Sequence, residues 1–124
     1  MERKDGVTIK YYKGLGTNTA AEGREYFQSL RMHRKNFQEL QSADEAAIDL
    51  VFNKEKAADR KHWLNTQHDR QTYLNPHSAS VSYEEFINKE LIHFSHADIH
   101  RSIPNVIDGL KPSQRKVLYA CFKR

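Results

Sequence analysis

The sequence predicts an α+β fold that is mostly helical, and three observations carry that expectation. Thr19 with Glu22, Ser42 with Glu45 and Ser82 with Glu85 each place a hydroxyl three positions before a glutamate, and each pair precedes apolar residues at helical spacing. One stretch alternates with the two-residue period of a strand, Val7, Ile9 and Tyr11 against Thr8, Lys10 and Tyr12. The last 24 residues hold six Lys or Arg and one acidic residue, Asp108, in a chain whose net charge is only +4. Positive charge therefore gathers at one end, and the remainder is nearly balanced.

The strand ends where Gly14 and Gly16 break its alternation. KGLGT, residues 13–17, lacks the spacing of a P-loop or a dinucleotide fingerprint, so its residues read as a turn into a helix and not as a nucleotide site. Thr19 and Glu22 start a helix over about residues 20–30, with Tyr26, Phe27 and Leu30 as its apolar ridge and Gly23 as its weak point. Residues 31–40 have no clear period, and Met32, Phe37 and Leu40 suit a short strand. Ser42 and Glu45 start the next helix, with Ala46, Ala47, Leu50 and Val51 as its buried stripe. Residues 54–64 read as a charged amphipathic helix anchored by Trp63 and Leu64. Its Arg60-Lys61 pair is either solvated or turned toward a phosphate. Residues 69–81, small and polar around Asn75-Pro76, form the linker candidate.

Ser82 and Glu85 start a helix reaching about His100, with Phe86, Ile87, Leu91 and Phe94 on its buried face. His93, His96 and His100 share one side of it, which raises a zinc site. One helix converges two imidazoles more readily than three, and no supporting carboxylate is evident, so no metal is expected. Asp108-Gly109 is a turn pair and Pro112 suits a first helical turn, so a helix starts at Lys111 or Pro112. Val117, Leu118, Cys121 and Phe122 fall on one side of that helix, and Arg115, Lys116, Tyr119 and Lys123 on the neighbouring arc. A buried stripe would seat those cations against a polyanion, with counterion release from phosphates driving the contact. Arg101 precedes the turn, and Lys111 stands where free backbone N–H groups also favour an anion. The alternative is a solvated basic face.

Composition sets bounds. With 124 residues, 38% hydrophobic content and a mean hydropathy of -0.85, the chain supports one small, lean core. No apolar run is long enough for a membrane span and MERKDGVTIK lacks the apolar stretch of a signal peptide, so a soluble, non-secreted protein is expected. The single cysteine, Cys121, excludes an internal disulfide, fits a reducing compartment and reads as a small core residue. A pI near 9.2 points to an acidic partner, and the basic helix lacks the aromatic pattern of a membrane-surface helix.

The run HFSHADIHRSIPNVIDGLKPSQRKVLYACFKR, residues 93–124, resembles the start of the winged-helix domain of eukaryotic-type DNA topoisomerase II, a type IIA topoisomerase. A related RxxPxxxDGLKPxxRxxL pattern occurs in bacterial gyrase A chains. IKYYKGLGT, EGREYF, DRKHWL and SYEEFINKELIHFS match in the same order, so the resemblance covers all but residues 1–8 and the linker. It implies a layout of residues 1–40 as the C-terminal end of a Toprim domain, 41–72 as connecting helices, 73–81 as a linker and 82–124 as the N-terminal part of a winged-helix, helix-turn-helix domain. The linker is shorter than in animal enzymes. Ala20 and Gly23 stand where the family more often has lysine and alanine, which weakens that helix.

By the same resemblance the intact protein is an ATP-dependent, homodimeric enzyme, nuclear or viral, that cleaves and religates double-stranded DNA to pass a second duplex. Mg2+ and ATP would bind outside these residues. The nucleophilic tyrosine matches none of Tyr11, Tyr12, Tyr26, Tyr73, Tyr83 or Tyr119, and the acidic metal motifs are missing, so the isolated chain is expected to be inactive. Arg60, Lys61, Arg101, Lys111, Arg115 and Lys116 are the expected DNA-backbone contacts, and Lys13 is a further candidate near the scissile phosphate. A stand-alone helix-turn-helix module without catalytic activity is the alternative, and it would show sequence preference.

Overall fold

The structure, a computed structural model, describes residues 2–4, 6–10 and 17–124, and the chain separates into two compact units, 1–35 and 36–124. In the first unit, β1 (Glu2–Lys4) pairs antiparallel with β2 (Val7–Ile9) across a turn in which Gly6 takes φ +80°, so the predicted strand has a partner. Its end, Lys13 and the KGLGT glycines lie outside the described residues. Helix α1 (Ala20–Gln28) starts as expected. The Thr19 hydroxyl accepts from Glu22 N at 3.3 Å, and the Glu22 carboxylate accepts from Thr19 N at 2.6 Å and pairs with Lys10 at 2.7 Å. A short helix α2 (Leu30–His33) follows, its His33 ring edge-on to Tyr26.

The second unit begins with β3 (Asn36–Phe37), which pairs in parallel with β4 (Ser80–Val81). Phe37 stacks on Tyr83 at 4.4 Å and meets Phe86 edge-on, so two residues of strand suffice to tie the segment down. Helix α3 (Ser42–Phe52) departs from expectation at its start. Its N-cap is Gln41, not Ser42, and the carboxylate that reaches back is Asp44, accepting from Gln41 N at 2.9 Å. Asp44 prevails over Glu45 because its other oxygen accepts from Glu84 N at 2.7 Å, which lets one buried carboxylate cap two helices. Ala47 is buried and Ile48, Leu50 and Val51 pack beside it, whereas Ala46, expected in the stripe, is exposed.

The predicted helix over 54–64 forms as a 3-10 turn, Lys54–Lys56, leading into α4 (Ala57–Thr66). Trp63 is buried, and its indole N–H donates to Asn88 Oδ1 at 2.8 Å across the unit. Residues 67–79 run without a regular element through turns at Asp69 and Asn75. Ser82 caps α5 (Tyr83–Phe86), which continues through a π-helical turn, Ile87–Leu91, into α6 (Ile92–Ser102).

That π turn corrects the expected face. A π turn inserts one extra residue, so Ile87 and Ile92, five apart, both point into the core at 3% and 1% exposure. Phe94, which an unbroken α period places in the core, is 59% exposed. The core is accordingly small, with Ala47, Trp63, Ile87 and Ile92 at its centre.

After α6 the chain turns at residues 105–110. Gly109 takes φ +67°, the Asp108 carboxylate accepts from Leu110 N at 3.0 Å, and Asn105 N donates to Leu110 O. Helix α7 (Pro112–Phe122) starts with Pro112 in its first turn, as expected. Its apolar stripe is not buried. Val117 is 64% exposed, Phe122 81%, and Cys121, expected in the core, is exposed. Among the described elements α7 packs on α6, which is too little surface to cover the stripe. Val117, Leu118 and Cys121 instead line an open groove with Leu110, Ser113 and Gln114. Among the described residues no helix is long and apolar enough to cross a membrane.

Candidate nucleic-acid interface

The six cations marked by sequence all lie in the 36–124 unit, and they divide by what holds them. Arg60 on α4 turns back and donates to the carbonyls of Leu50 and Asn53 at the end of α3. A guanidinium there satisfies carbonyls that the helix leaves open and opposes the negative end of its dipole. Lys61, next along α4, is exposed.

Two carboxylates organise the rest. Asp98 on α6 accepts from Arg101 Nε at 2.9 Å and from the Ser102 hydroxyl at 3.0 Å. Those two bonds, with further attraction from Arg101 and Lys111, hold its carboxyl below the usual carboxylate range. Arg101 and Lys111, separated along the chain by the end of α6 and the turn, thus share one counter-charge. Arg101 also sits over the Phe94 ring at 5.6 Å, which gives that exposed aromatic a role. Asp108 holds Arg115 by two bonds, Nε at 2.7 Å and Nη2 at 2.8 Å, and Nη2 reaches Leu110 O as well. This fork, followed by the Leu110 N–H, lowers the Asp108 carboxyl to about 2. Lys116 is exposed on α7.

An open cleft of about 620 Å³ lies between α3, α4 and α6. Arg60, Lys61 and Asp98 lie on its lining with Phe52, Trp63 and Phe94. The structure therefore brings the Arg60-Lys61 pair and Asp98 to one cleft, whose lining includes neither Arg101 nor Lys111, while Arg115 stays with its own turn. Sequence reasoning marked the cations and missed the acids that place them. Asp98 three residues before Arg101 is a legible helical pair, but the seven-residue reach from Asp108 to Arg115 spans a turn and a helix start.

The three histidines of α6 do not converge as ligands. His93 Nε2 contacts Thr72 O at 2.6 Å and its Nδ1 faces His68 Nε2 at 3.3 Å, so both ring nitrogens are engaged. Among the described residues no group of three or more His, Cys, Asp or Glu is placed to hold a metal ion.

Two family models cover the chain: the C-terminal associated domain of TOPRIM over residues 1–99, and the A-subunit family of DNA gyrase/topoisomerase IV over residues 101–124. The chain belongs to the DNA topoisomerase II family. It is 58% identical to DNA topoisomerase 2 of Saccharomyces cerevisiae over 115 residues, covering 93% of this chain and 8% of the yeast protein. It is 50% identical to DNA topoisomerase 2 of Arabidopsis thaliana over 119 residues, and 50% identical to mouse (Mus musculus) DNA topoisomerase 2-alpha over 127 residues. These cover 96% and 94% of this chain, and again 8% of each relative. Among solved structures it resembles the DNA-binding, cleavage and re-ligation domain of Plasmodium falciparum topoisomerase II, at 47% identity and a TM-score of 0.66. That match covers 96% of this chain and 16% of the other. The chain thus spans about a twelfth of the length of the curated topoisomerase II relatives it matches, and its mostly helical α+β fold agrees with that family neighbour.

Proposed function

We propose that the intact protein is an ATP-dependent type II DNA topoisomerase that cleaves and religates a duplex to pass a second one, and that this chain grips the duplex by its backbone. The identity to proteins named DNA topoisomerase 2 over 93% of the chain is the observation that carries the reading. The cation arrangement supports the chain's part in it. Lys61, Lys111 and Lys116 are ammonium groups that meet phosphates directly, while Arg60, Arg101 and Arg115, tied to carbonyls and carboxylates, fix the elements that present them. Backbone contact without base reading suits an enzyme that acts on many sequences.

On this reading residues 1–40 close a Toprim domain, 41–72 connect, 73–81 link and 82–124 open a winged-helix domain of a homodimeric nuclear or viral enzyme. Mg2+ and ATP belong to other parts of the intact protein.

The test is duplex binding by fluorescence anisotropy against salt, for the parent and for Lys61→Gln, Lys111→Gln and Lys116→Gln. Each substitution is expected to weaken binding alike on unrelated sequences and to reduce the slope of log K on log salt by about 0.9. Unchanged slopes refute the assignment. Binding that changes strongly with sequence instead supports the stand-alone helix-turn-helix module.

A further inference from the structure

We propose that residues 67–73 are held on α6 by a proton-sensitive latch of imidazoles, closed while the neutral His68–His93 pair has gained at most one further proton and opened by the second. The latch is independent of DNA binding. His68 follows α4, whereas His93, His96 and His100 stand on α6, so the contacts among them join the loop to the helix. The His68 ring stacks on His96 with centroids 4.0 Å apart and planes within 3°, His96 leans on His100 at 4.8 Å, and the Tyr73 ring covers His93 at 5.2 Å.

Hydrogen bonding fixes the proton count. Thr72 O can only accept, so His93 Nε2, 2.6 Å away, carries a proton. In a neutral His93, Nδ1 is then an acceptor, and His68 Nε2 donates to it across 3.3 Å. One added proton is tolerated: His93 Nδ1 takes it, and His68 moves its own proton to Nδ1 so that its Nε2 accepts. A second proton leaves N–H facing N–H at the same place and sets a charged His68 against both His93 and the stacked His96. Around His68, the loop supplies Asp69, which favours a proton, and Arg70, which opposes one, while α6 supplies His93 and His96. Asp69 is already engaged by Gln71 N and the Thr72 hydroxyl. Burial first, then His96, His93 and Arg70, hold the His68 ring below the ordinary imidazole range.

The experiment is an NMR titration of the 124-residue chain with labelled histidine, from pH 8 to pH 5. Expected are an Nε2–H tautomer of His93 at the start, loss of the His68–His96 ring contact in the step that takes up the second added proton, and a falling protection factor for the Thr72 amide. That protection should drop about tenfold per pH unit for each proton taken up. The Trp63 indole N–H signal should persist through the step, since the core does not open. In His96→Gln the His68 ring should titrate nearer an unperturbed imidazole, at about 6.5. A one-proton titration of His68 with its ring contacts intact at pH 5 overturns the proposal. So does simultaneous loss of the Trp63 signal, which means global unfolding. If His96→Gln does not fold, the parent titration alone decides.

Discussion

Replacing Ile92 with alanine should cost far more stability than replacing Phe94, although the larger ring looks like the better core residue by helical period. Ile92 is 1% exposed and touches the cluster of Ala47, Trp63 and Ile87. Truncation removes three buried carbons, at about 0.8 kcal/mol each, and leaves a cavity that a small core closes poorly, for a total of about 2–5 kcal/mol. Phe94 is 59% exposed, so its loss forfeits partial burial and the contact under Arg101, about 1 kcal/mol together.

For 124 residues the unfolding entropy makes 1 kcal/mol worth about 4 °C in Tm. Ile92→Ala should therefore lower Tm by about 8–20 °C and Phe94→Ala by about 4 °C. Circular-dichroism melts and urea curves followed by Trp63 fluorescence measure both. Equal losses, or a larger loss from Phe94→Ala, would mean that α5 and α6 keep one straight α period. The one-residue phase shift at Ile87–Leu91 would then be wrong.

Arg60→Met keeps the aliphatic stem and deletes the two carbonyl contacts, so it should destabilise by about 1–3 kcal/mol in urea, while Lys61→Gln beside it should stay within about 0.5 kcal/mol. Matching midpoints for the two variants would contradict the division between positioning and contacting cations. Asp108 has its carboxyl lowered to about 2 in the folded chain against about 4 when unfolded. The unfolded state therefore takes up the proton first, and the pair's contribution is complete above about pH 5 and lost as pH falls from about 4 to 2. Urea midpoints of Asp108→Asn and the parent should differ at pH 6 and converge by pH 2, and a gap independent of pH would refute the ion pair. Arg115→Gln should weaken duplex binding with a smaller change in salt slope than Lys116→Gln, because Arg115 is already neutralised; anisotropy titrations at several salt concentrations compare them.

Features set by neighbours in sequence were legible without coordinates. The Thr19–Glu22 and Ser82 caps, the Asp108-Gly109 turn and Pro112 at the start of α7 all close within a few residues and form where expected. Readings failed where a distant partner decided the outcome. Asp44 displaces the Ser42 cap because its second hydrogen bond comes from Glu84, forty residues on. The short strand expected around Phe37 forms as β3, but its partner β4 lies in the segment read as linker, where no period of two can show in a run of two residues. His68 stands on no helix with the other three histidines, so spacing alone could not join it to them. A π turn has no signature in apolar spacing and shows itself only as Ile92 taking the place meant for Phe94.

The candidate interface shows the same division in its electrostatics. Periodicity seats α7 by its apolar stripe, yet that stripe is open, and the helix start is held instead through charge: Arg115 forked on Asp108, and Lys111 drawn toward the carboxylate that also holds Arg101. An arginine paired with an internal carboxylate adds little net field, since the pair sums to zero and a phosphate must displace the acid before it gains the cation. Lys61 and Lys116, both exposed, keep their charge for a partner and give up a defined direction, and Lys111 stands between the two kinds. A backbone-gripping surface needs both kinds, paired arginines to fix where the turn and helix lie and lysines to supply the counterion release. Six cations counted together in sequence therefore divide by what holds them: Asp98 and Asp108 hold Arg101 and Arg115, and the carbonyls of Leu50 and Asn53 hold Arg60.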